Sequence, residues 1–537
     1  MKPSLLNREK IEAYLSAGYW TRETMVERYA AYARDFPDKT ACRDSQEEIT
    51  WRELDERTGH IAANLIAGGI ERDARALVQM PSSNREIILR IALKKAGIIG
   101  CYAPMQWRSQ ELGYAHQELA PSVIFASPDS GGDEGTAWLD EAAGVTAPVL
   151  RVDLSGFSPE GWLPWAELTR PPEDTGAMEE IASRAFRFDE ISMITVSSGS
   201  SGFSKLCEWP EGAQMCLARA NGARLRISGE DNVGVFAPMA GGAGLLVWVT
   251  SGMAPCAFTF PETYNARALL ALIESAKITV ATTVPVILNR LAQEDLGAFD
   301  LRSLRAIRIG TAAADLDAAR RFERLTGSRV VLAAGSMETP GFAHADFTDP
   351  AALRLNGSIG PPHRGCRWRI EDEEGNALPR GSVGHFKLAA PYASSGYWKD
   401  EEATRTVWSE GWNATGDIAT IDEDGRLRLL GRSKEVINRS GQKILPAEVE
   451  REIAKHPDVF ECAVVAAPDP EYGEAPWAFI QPHAGRSLDP KVLAEALRTS
   501  GLATYKIPAR FIELPEFPRV ASDKIDKKAL LQMAPAE

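Results

Sequence analysis

The sequence lacks the cysteine and histidine patterns of a disulfide-bonded or zinc-binding protein. Its 537 residues include seven cysteines, an odd number with no CxxC pair, and seven histidines that are dispersed along the chain. Secreted disulfide scaffolds carry dense cysteines, and zinc sites cluster Cys and His at short spacings. We therefore expect a chain without a disulfide framework in a reducing compartment, the cytoplasm.

Long apolar runs and a surplus of positive charge are also missing. Residues 1–5 lack the apolar core of a signal peptide, and the most apolar stretch, 244–260, is interrupted by polar residues and a proline. A membrane-spanning helix needs about 20 consecutive apolar residues. The formal net charge is −14, which repels nucleic acid and anionic lipid. We expect no membrane span and no nucleic-acid partner, and a locally positive site for any phosphate.

The residues that are present predict an α/β protein of more than one domain. Apolar residues make up 44% and charged residues 25% of the chain, whose 537 residues exceed one compact core. From about residue 50 to 390, strand-like runs such as 76–80 alternate with helical stretches such as 85–95, which predicts parallel or mixed sheets covered by helices. Near residue 430 the pattern changes to a small α+β unit. The predicted domains are 1–432 and 433–537.

One loop stands out because its composition suits phosphate binding. It follows the apolar run 191–196 and consists of Ser197, Ser198, Gly199, Ser200, Ser201, Gly202, Phe203, Ser204 and Lys205. Small residues leave backbone N–H groups free to face an anion, and the lysine adds a positive charge. The spacing is not that of a Walker loop. Taken alone, a Ser/Gly-rich stretch is equally typical of a flexible connector.

Later motifs, in a fixed order, make the sequence resemble a known family. They are Gly335-Ser336-Met337-Glu338, Thr415-Gly416-Asp417, Arg432-Ser433-Lys434 and Pro518 to Lys524. With the Ser/Gly loop they resemble the adenylate-forming enzymes, which include acyl-CoA synthetases, nonribosomal peptide adenylation domains and firefly luciferase. Among these, the chain looks most like the stand-alone aryl-acid and alicyclic-acid ligases. The resemblance implies a large N-terminal domain and a small mobile C-terminal domain with its hinge at Lys434.

The resemblance also implies roles for individual residues. Lys524 is expected to bridge the substrate carboxylate and the α-phosphate, Lys205 to contact the outer phosphates, and Glu338 to hold Mg²⁺. The residues implied in ATP or AMP binding are Ser197, Ser198, Gly199, Ser200, Ser201, Gly202, Lys205, Gly335, Ser336, Met337, Asp417 and Arg432. In the second half-reaction Ser440 and Gly441 are expected to line the tunnel for the thiol.

The chain departs from the family pattern at three of these motifs. Met337 stands where a threonine hydroxyl usually contacts the α-phosphate, and Ser440 stands where a first glycine usually precedes Gly441. Asp523 stands where a glycine usually precedes Lys524. A carboxylate beside Lys524 favours the charged form of the lysine, and loss of the glycine restricts the backbone of its loop.

Small residues occupy the positions that the resemblance assigns to the acid pocket. They are Gly241, Gly242, Ala243, Gly244, Gly310, Thr311 and Ala312. Small side chains in the wall of a pocket enlarge it without adding hydrogen-bond partners for the substrate. The sequence therefore predicts a bulky, mostly apolar acid, which is polycyclic, terpenoid-like, alicyclic or aryl. The alternative is that these glycines only permit tight helix packing.

The predicted function is an AMP-forming carboxylic acid–CoA ligase that uses ATP, Mg²⁺ and coenzyme A. The first alternative is an acyl-AMP ligase that passes the acyl group to a carrier-protein phosphopantetheine or makes only the adenylate. A non-enzymatic alternative is a catalytically silent binding protein on the same fold. A serine hydrolase is disfavoured because no Gly-x-Ser-x-Gly elbow is present. We expect a monomer or a homodimer.

Overall fold

The computed structural model describes residues 1–127, 149–154, 156, 160–173, 175–197, 204–312, 314–520 and 524–533. Its strands, in chain order, are β1 (Thr40–Arg43), β2 (Glu48–Thr50), β3 (Arg75–Val78), β4 (Ile99–Tyr102), β5 (Val123–Ala126), β6 (Leu150–Asp153), β7 (Leu163–Pro164), β8 (Ile191–Val196), β9 (Leu206–Pro210), β10 (Asn232–Val235), β11 (Ala257–Thr259), β12 (Val280–Thr283), β13 (Ala306–Ile309), β14 (Arg329–Ala334), β15 (Ala343–His344), β16 (Arg367–Glu371), β17 (Val383–Ala389), β18 (Trp408–Ser409), β19 (Trp412–Ile421), β20 (Leu427–Arg432), β21 (Ile437–Arg439), β22 (Gln442–Ile444), β23 (Val459–Asp469), β24 (Gly473–Pro482) and β25 (Arg510–Glu513).

The α-helices alternate with these strands through most of the chain. They are α1 (Arg8–Ser16), α2 (Met25–Asp35), α3 (Trp51–Ala67), α4 (Asn84–Ala96), α5 (Ser109–Leu119), α6 (Trp165–Leu168), α7 (Thr175–Arg184), α8 (Glu211–Leu225), α9 (Gly242–Thr250), α10 (Ala266–Ala276), α11 (Pro285–Gln293), α12 (Leu316–Thr326), α13 (Ala351–Arg354), α14 (Glu401–Val407), α15 (Pro446–Ile453), α16 (Pro490–Thr499) and α17 (Lys527–Met533). Within the described ranges, no helix is both long and apolar enough to cross a bilayer.

Local sequence signals explain where several helices begin and end. Thr50 accepts a hydrogen bond from the backbone of Glu53, whose carboxylate accepts one in return, and this capping box starts α3. Gly97, with φ 71°, ends α4 in the left-handed conformation that glycine adopts most readily. Both β3 and α4 confirm the predicted strand and helix of this region.

Close packing divides the chain into two compact units. Unit 1 comprises residues 1–367 and 389–411, and unit 2 comprises residues 368–388 and 412–537. This division differs from the predicted boundary after residue 432, because β20 packs on α15 and Lys443 forms an ion pair with Glu373 inside unit 2. The predicted hinge at Lys434 concerns rotation of the C-terminal domain, which packing within one structure does not test. It stays a prediction.

Two mostly parallel sheets form the framework of unit 1, as the sequence predicts. One has the order β7-β6-β5-β3-β4-β8-β9, in which only β8 and β9 pair antiparallel. The other has the order β15-β14-β13-β12-β10-β11-β1-β2, with antiparallel pairs only at its two ends. One face of this second sheet packs on α10, α11 and α12 through a core that includes Ile307 and Ile309.

The described residues of unit 2 form mostly antiparallel strands and three α-helices. β19 pairs with β17 and β20, and a second sheet has the order β22-β21-β24-β23 with β25 parallel to β24. Residues of α15 and α16 pack on one face of this second sheet, and Leu530 of α17 belongs to a separate small core. The α/β fold class is therefore confirmed, with a predominantly antiparallel second unit.

Candidate functional site

The two ends of the predicted phosphate loop are joined by backbone pairing at the base of a β-hairpin. β8 and β9 pair antiparallel, and beyond them the backbone N–H of Ser197 donates to the carbonyl of Lys205 at 2.8 Å. The backbone N–H of Lys205 donates to the Ser197 hydroxyl at 2.9 Å. The remaining predicted loop contacts, Ser198, Gly199, Ser200, Ser201 and Gly202, lie outside the described residues. The pairing therefore holds both ends of the loop at the same edge of the sheet.

An ion pair with Asp400 holds the Lys205 side chain. The Lys205 Nζ atom donates to Asp400 Oδ2, and this contact raises the pKa of the lysine above its usual value. Asp400 also caps α14, because its other carboxylate oxygen accepts from the backbone N–H of Ala403 at 2.9 Å. The ion pair with Asp400 therefore favours the charged form of the lysine.

Tyr397 contacts the carboxylate of Glu338. The Tyr397 hydroxyl donates to Glu338 Oε1 at 2.7 Å, and the backbone N–H of Ser394 donates to the Glu338 carbonyl at 2.8 Å. Burial, and next the negative charge of Glu338, raise the pKa of Tyr397 well above its usual value. The phenol is therefore neutral and donates to one oxygen of the Glu338 carboxylate.

Both contacts come from one segment, residues 394–400, that sequence analysis did not identify. The segment runs beside β9, where the Trp398 N–H donates to the Leu206 carbonyl at 2.7 Å and the Glu208 N–H donates to the Gly396 carbonyl at 3.0 Å. It thereby brings Tyr397 and Asp400 to the two predicted residues Glu338 and Lys205. The sequence signal that could have indicated it is the aromatic pair next to Gly396.

The segment 335–341 is a tight turn whose residues approach one another closely. A Cβ on Gly335 would lie 2.3 Å from the backbone nitrogen of Gly341, so only glycine fits there. The Ser336 N–H donates to the Thr339 carbonyl at 3.3 Å. Met337 is buried, and so is Thr339, whose hydroxyl has no hydrogen-bond partner among the described residues. The turn therefore presents a thioether at the position where the family resemblance implies a hydroxyl.

The structure separates the predicted pocket glycines into two groups. A Cβ on Gly244 would lie 2.1 Å from the Pro238 carbonyl oxygen, and one on Gly310 would lie 2.7 Å from the Ala333 carbonyl oxygen. Tight packing is therefore sufficient to explain these two glycines. A Cβ on Gly241 would lie 3.5 Å from its nearest neighbour, and one on Gly242 would lie 3.7 Å from the sulfur of Met337, which are ordinary contacts. Packing therefore does not explain Gly241 and Gly242.

The other predicted pocket residues lie beside these glycines in the chain. Ala243 is buried within the first turn of α9, and Ala312 is exposed. Thr311 has a φ of 80°, in the left-handed region that residues other than glycine rarely adopt. Backbone strain of this kind tends to persist at functional sites.

In unit 2, strand register places Asp417 opposite Arg432. The two residues are partners across β19 and β20, and Arg432 Nε lies 3.1 Å from Asp417 Oδ1. Arg432 also donates to the Thr415 carbonyl at 3.0 Å, and the Thr415 hydroxyl accepts from the Asp417 N–H at 3.1 Å. Asp417 is buried. The predicted ribose-binding pair is thus held rigidly by the strand pairing itself.

Lys434 and the predicted tunnel residues occupy two turns of unit 2. Lys434 lies in a 3₁₀ turn, and partial burial, then Arg432, lower its pKa. Ser440 and Gly441 form a two-residue hairpin turn between β21 and β22 with φ values of 49° and 87°. A type I′ hairpin turn needs positive φ at both positions, which explains the usual glycines. Ser440 adopts this backbone, and its N–H donates to the Tyr472 carbonyl at 3.0 Å.

The Lys524 loop is closed at its base in the same way as the phosphate loop. The Val520 N–H donates to the Lys524 carbonyl at 2.9 Å, and Arg519 and Ile525 form an antiparallel bridge. Asp523 lies outside the described residues. Lys524 is partly exposed and lies shortly before α17, whose Lys527 contacts Glu435 at 3.0 Å. The segment that carries the predicted catalytic lysine is therefore tied to the turn that contains Lys434.

Comparison with known proteins assigns both parts of the chain to described families. Residues 29–398 match the family model described as AMP-binding enzyme, and residues 448–524 match the model described as AMP-binding enzyme C-terminal domain. The chain is similar over its length to the anthranilate CoA ligase AuaEII solved with anthranoyl-AMP, with a TM-score of 0.85 and 22% identity, covering 96% of this chain and 98% of that one. At that identity the likeness concerns the fold.

Curated relatives include ligases of more than one type. Triostin synthetase I of Streptomyces triostinicus is 30% identical over 526 residues, which cover 97% of each chain. The 2,3-dihydroxybenzoate-AMP ligase of Bacillus subtilis is 28% identical, covering 97% of this chain and 96% of the relative. The indoleacetate–CoA ligase of Aromatoleum aromaticum is 28% identical, covering 93% and 95%. These names differ in the acid and in whether coenzyme A is mentioned.

Proposed function

The chain belongs to the AMP-binding enzyme family and is an adenylate-forming acid ligase; we propose that it is a carboxylic acid–CoA ligase for a bulky, mostly apolar acid. The observation that carries this proposal is the segment 394–400, which holds Lys205 and Glu338 through Asp400 and Tyr397. A cation and an anion that are held by one segment suit a magnesium–polyphosphate substrate, because both charges of that substrate then meet an opposite charge.

In the first half-reaction a carboxylate oxygen of the acid attacks the α-phosphorus of ATP. The bond from the α-phosphorus to its bridging oxygen breaks, and pyrophosphate leaves with the electron pair. Lys205 exchanges its contact with Asp400 for an outer phosphate and neutralises the charge that develops there. In unit 2, Lys524 supplies a positive charge to the carboxylate and α-phosphate, and Asp417 accepts hydrogen bonds from the ribose hydroxyls.

Glu338 fits the requirements of a magnesium ligand. Mg²⁺ is held in such enzymes by one or two carboxylates together with substrate phosphates and water, so a single fixed carboxylate is sufficient. Tyr397 contacts one Glu338 oxygen, and we propose that the other oxygen contacts the ion. The described residues contain no group of three or more His, Cys, Asp or Glu suited to an all-protein metal site. When bound, the ion would neutralise phosphate charge.

In the second half-reaction the sulfur of a thiol attacks the acyl carbon, the bond to the phosphate oxygen breaks, and AMP leaves. We propose Lys434 as the hinge of this stage and the Ser440-Gly441 turn as part of the thiol path. Coenzyme A is the proposed thiol, which the similarity to indoleacetate–CoA ligase supports. The second candidate is an acyl-AMP ligase that serves a carrier protein, which the equal similarity to 2,3-dihydroxybenzoate-AMP ligase favours.

Pyrophosphate exchange tests the first half-reaction. We expect acid-dependent incorporation of labelled pyrophosphate into ATP with Mg²⁺ when 2-naphthoate or a larger polycyclic carboxylate is supplied. Adding coenzyme A should then yield the acyl-CoA thioester and AMP, detected by mass spectrometry. Exchange without thioester would support the acyl-AMP ligase instead. Exchange that is restricted to small hydroxylated benzoates would contradict the bulky-acid proposal.

Replacing Tyr397 with phenylalanine tests whether the phenol positions Glu338. The substitution removes the 2.7 Å hydrogen bond and leaves the ring in its contact with Trp408. Loss of a partner that orients a metal ligand typically costs about 10- to 100-fold in metal affinity or activity. We therefore expect the Mg²⁺ concentration for half-maximal exchange to rise about tenfold.

A second tyrosine serves as the matched control for this change. The buried Tyr29 hydroxyl donates to Ser251 at 2.5 Å and has no contact with Glu338. Tyr29→Phe should lower the melting temperature without changing the Mg²⁺ dependence. If Tyr397→Phe changed only the melting temperature, Tyr397 would have a structural role alone.

A further inference from the structure

Arg308 is a buried cation in the middle of the second sheet of unit 1. It lies on β13 opposite Thr282 of β12 and Val331 of β14, and its side chain is almost fully buried. Its neighbours in the strand, Ile307 and Ile309, belong to the core with α10, α11 and α12. Because side chains alternate along a strand, Arg308 points to the opposite face of the sheet.

The guanidinium group lacks a carboxylate partner within the described residues. Arg308 Nη1 donates to the Asn221 side-chain oxygen at 3.3 Å, and its Nε has no hydrogen-bond acceptor in the described parts of the chain. Burial lowers the pKa of Arg308 to about 9, so the side chain is still charged at neutral pH. Buried charges are normally paired, because an unpaired one has lost its hydration without compensation.

Two nearby histidines are neutral and do not compensate the charge of Arg308. Burial, with Arg308 close to both rings, lowers the pKa of His344 well below its usual value and that of His363 to about 3, so both are neutral. The Nε2 atoms of both rings are buried and have no hydrogen-bond partner among the described residues. The nearby Arg224 has its own carboxylate, Asp346, at 3.3 Å. The cluster is therefore net positive, with unfilled hydrogen-bonding positions.

This cluster adjoins the wall that carries the proposed acid pocket. A Cβ on Gly341 would lie 2.9 Å from Asn221 Oδ1, the atom that Arg308 contacts, and 3.1 Å from Leu246 Cδ2. Leu246 lies on α9, which begins at Gly242. Gly341 also closes the turn that holds Met337, the residue that faces Gly242. Gly341 therefore packs between Leu246 of the pocket helix and Asn221, the partner of Arg308.

We propose that Arg308 binds a second carboxylate at the far end of the acid substrate, so that the preferred substrate is a bulky dicarboxylic acid with an apolar body. The inference rests on the proposed function, because it uses the acid pocket assigned there. A guanidinium group binds a carboxylate through two parallel hydrogen bonds, which would use the unpaired Nε of Arg308. The reacting carboxylate stays at the other end of the acid, and no covalent step is added.

Binding of two matched acids tests the inference separately from catalysis. The probes are 2-naphthoate and 2,6-naphthalenedicarboxylate, which share one apolar body, and affinities for the full-length protein are measured by isothermal titration calorimetry. We expect the diacid to bind at least about tenfold more tightly than the monoacid, the range for a hydrogen bond to a charged group. Arg308→Met should remove this preference and leave the affinity for 2-naphthoate within about threefold.

Stability measurements separate this role from a structural one. Methionine removes an unpaired buried cation, so Arg308→Met should melt at or above the temperature of the unchanged protein. Arg305→Met is the control, because Arg305 lies just before β13 but pairs with Asp231 at 2.9 Å, and its loss should lower stability without changing the acid preference. Equal affinity of the unchanged protein for both acids, or an unchanged preference in Arg308→Met, would overturn the inference. Failure of a bound acid to support pyrophosphate exchange would instead contradict the proposed function.

Discussion

Replacing Lys524 with alanine is expected to slow adenylation by at least about 100-fold while thioester formation from supplied acyl-AMP continues. Removal of one preorganised hydrogen-bond donor that faces a developing charge typically lowers the rate by about this factor. In the first half-reaction the lysine would neutralise charge on both the carboxylate and the α-phosphate. In the second half-reaction the carboxylate and the α-phosphate are already joined in the acyl-AMP, so the lysine no longer has to bring these two groups together. Its proposed role therefore ends with adenylation.

The two half-reactions can be measured separately on the same protein. Acid-dependent pyrophosphate exchange reports adenylation, and release of AMP from synthetic acyl-AMP and coenzyme A reports thioester formation. Lys528→Ala is the matched control, because Lys528 is an exposed lysine in the helix that follows Lys524. A loss of both half-reactions in Lys524→Ala, with Lys528→Ala unaffected, would show that the lysine acts beyond adenylation. Near-normal exchange would exclude Lys524 from the mechanism.

The fold and the order of the motifs could be predicted because they depend on local sequence. The apolar run 191–196 forms β8, and the Ser/Gly loop begins at its end. Asp417 and Arg432 were predicted only as separate nucleotide contacts, and the structure pairs them through the register of two strands that are close in the chain. Such features need only neighbouring residues, so a single sequence carries enough information to locate them.

The partners of the predicted residues could not be predicted, because they come from distant parts of the chain. Asp400 lies 195 positions from Lys205, and Tyr397 lies 59 positions from Glu338. Nothing in the sequence around Lys205 or Glu338 indicates that the segment 394–400 runs beside β9. Arg308 is a similar case, because a lone arginine in an apolar strand gives no sign of whether an acidic partner reaches it.

Glycine composition alone does not distinguish positions that line a pocket from positions that permit tight packing. Sequence analysis treated the segments 241–244 and 310–312 as equivalent walls. The carbonyl groups of Pro238 and Ala333 approach Gly244 and Gly310 so closely that a side chain at either position would displace the backbone. The open-pocket hypothesis therefore depends on Gly241 and Gly242, where a side chain has space.

Replacing Gly242 with tryptophan is expected to abolish use of a bulky acid, lowering kcat/KM for that acid by at least about 100-fold, the scale of a substrate misplacement near 1 Å. A Cβ at this position points toward the sulfur of Met337 at 3.7 Å, so an indole ring would extend into the space between α9 and the 335–341 turn. The proposed ATP contacts at Lys205 and Asp417 do not involve Gly242, so ATP binding measured by calorimetry should be unchanged.

The neighbouring glycines show why Gly242 is the informative position. Gly242→Ala adds one methyl group at an ordinary contact distance, in the first turn of α9, and should keep both the acid range and the melting temperature. Gly244→Ala would place its methyl group 2.1 Å from a backbone oxygen, so any loss of activity there would reflect disturbed folding. If Gly242→Trp retained the full range of acids while Gly242→Ala behaved normally, the acid would have to bind elsewhere in unit 1, and the proximity of Arg308 to the pocket would lose its significance.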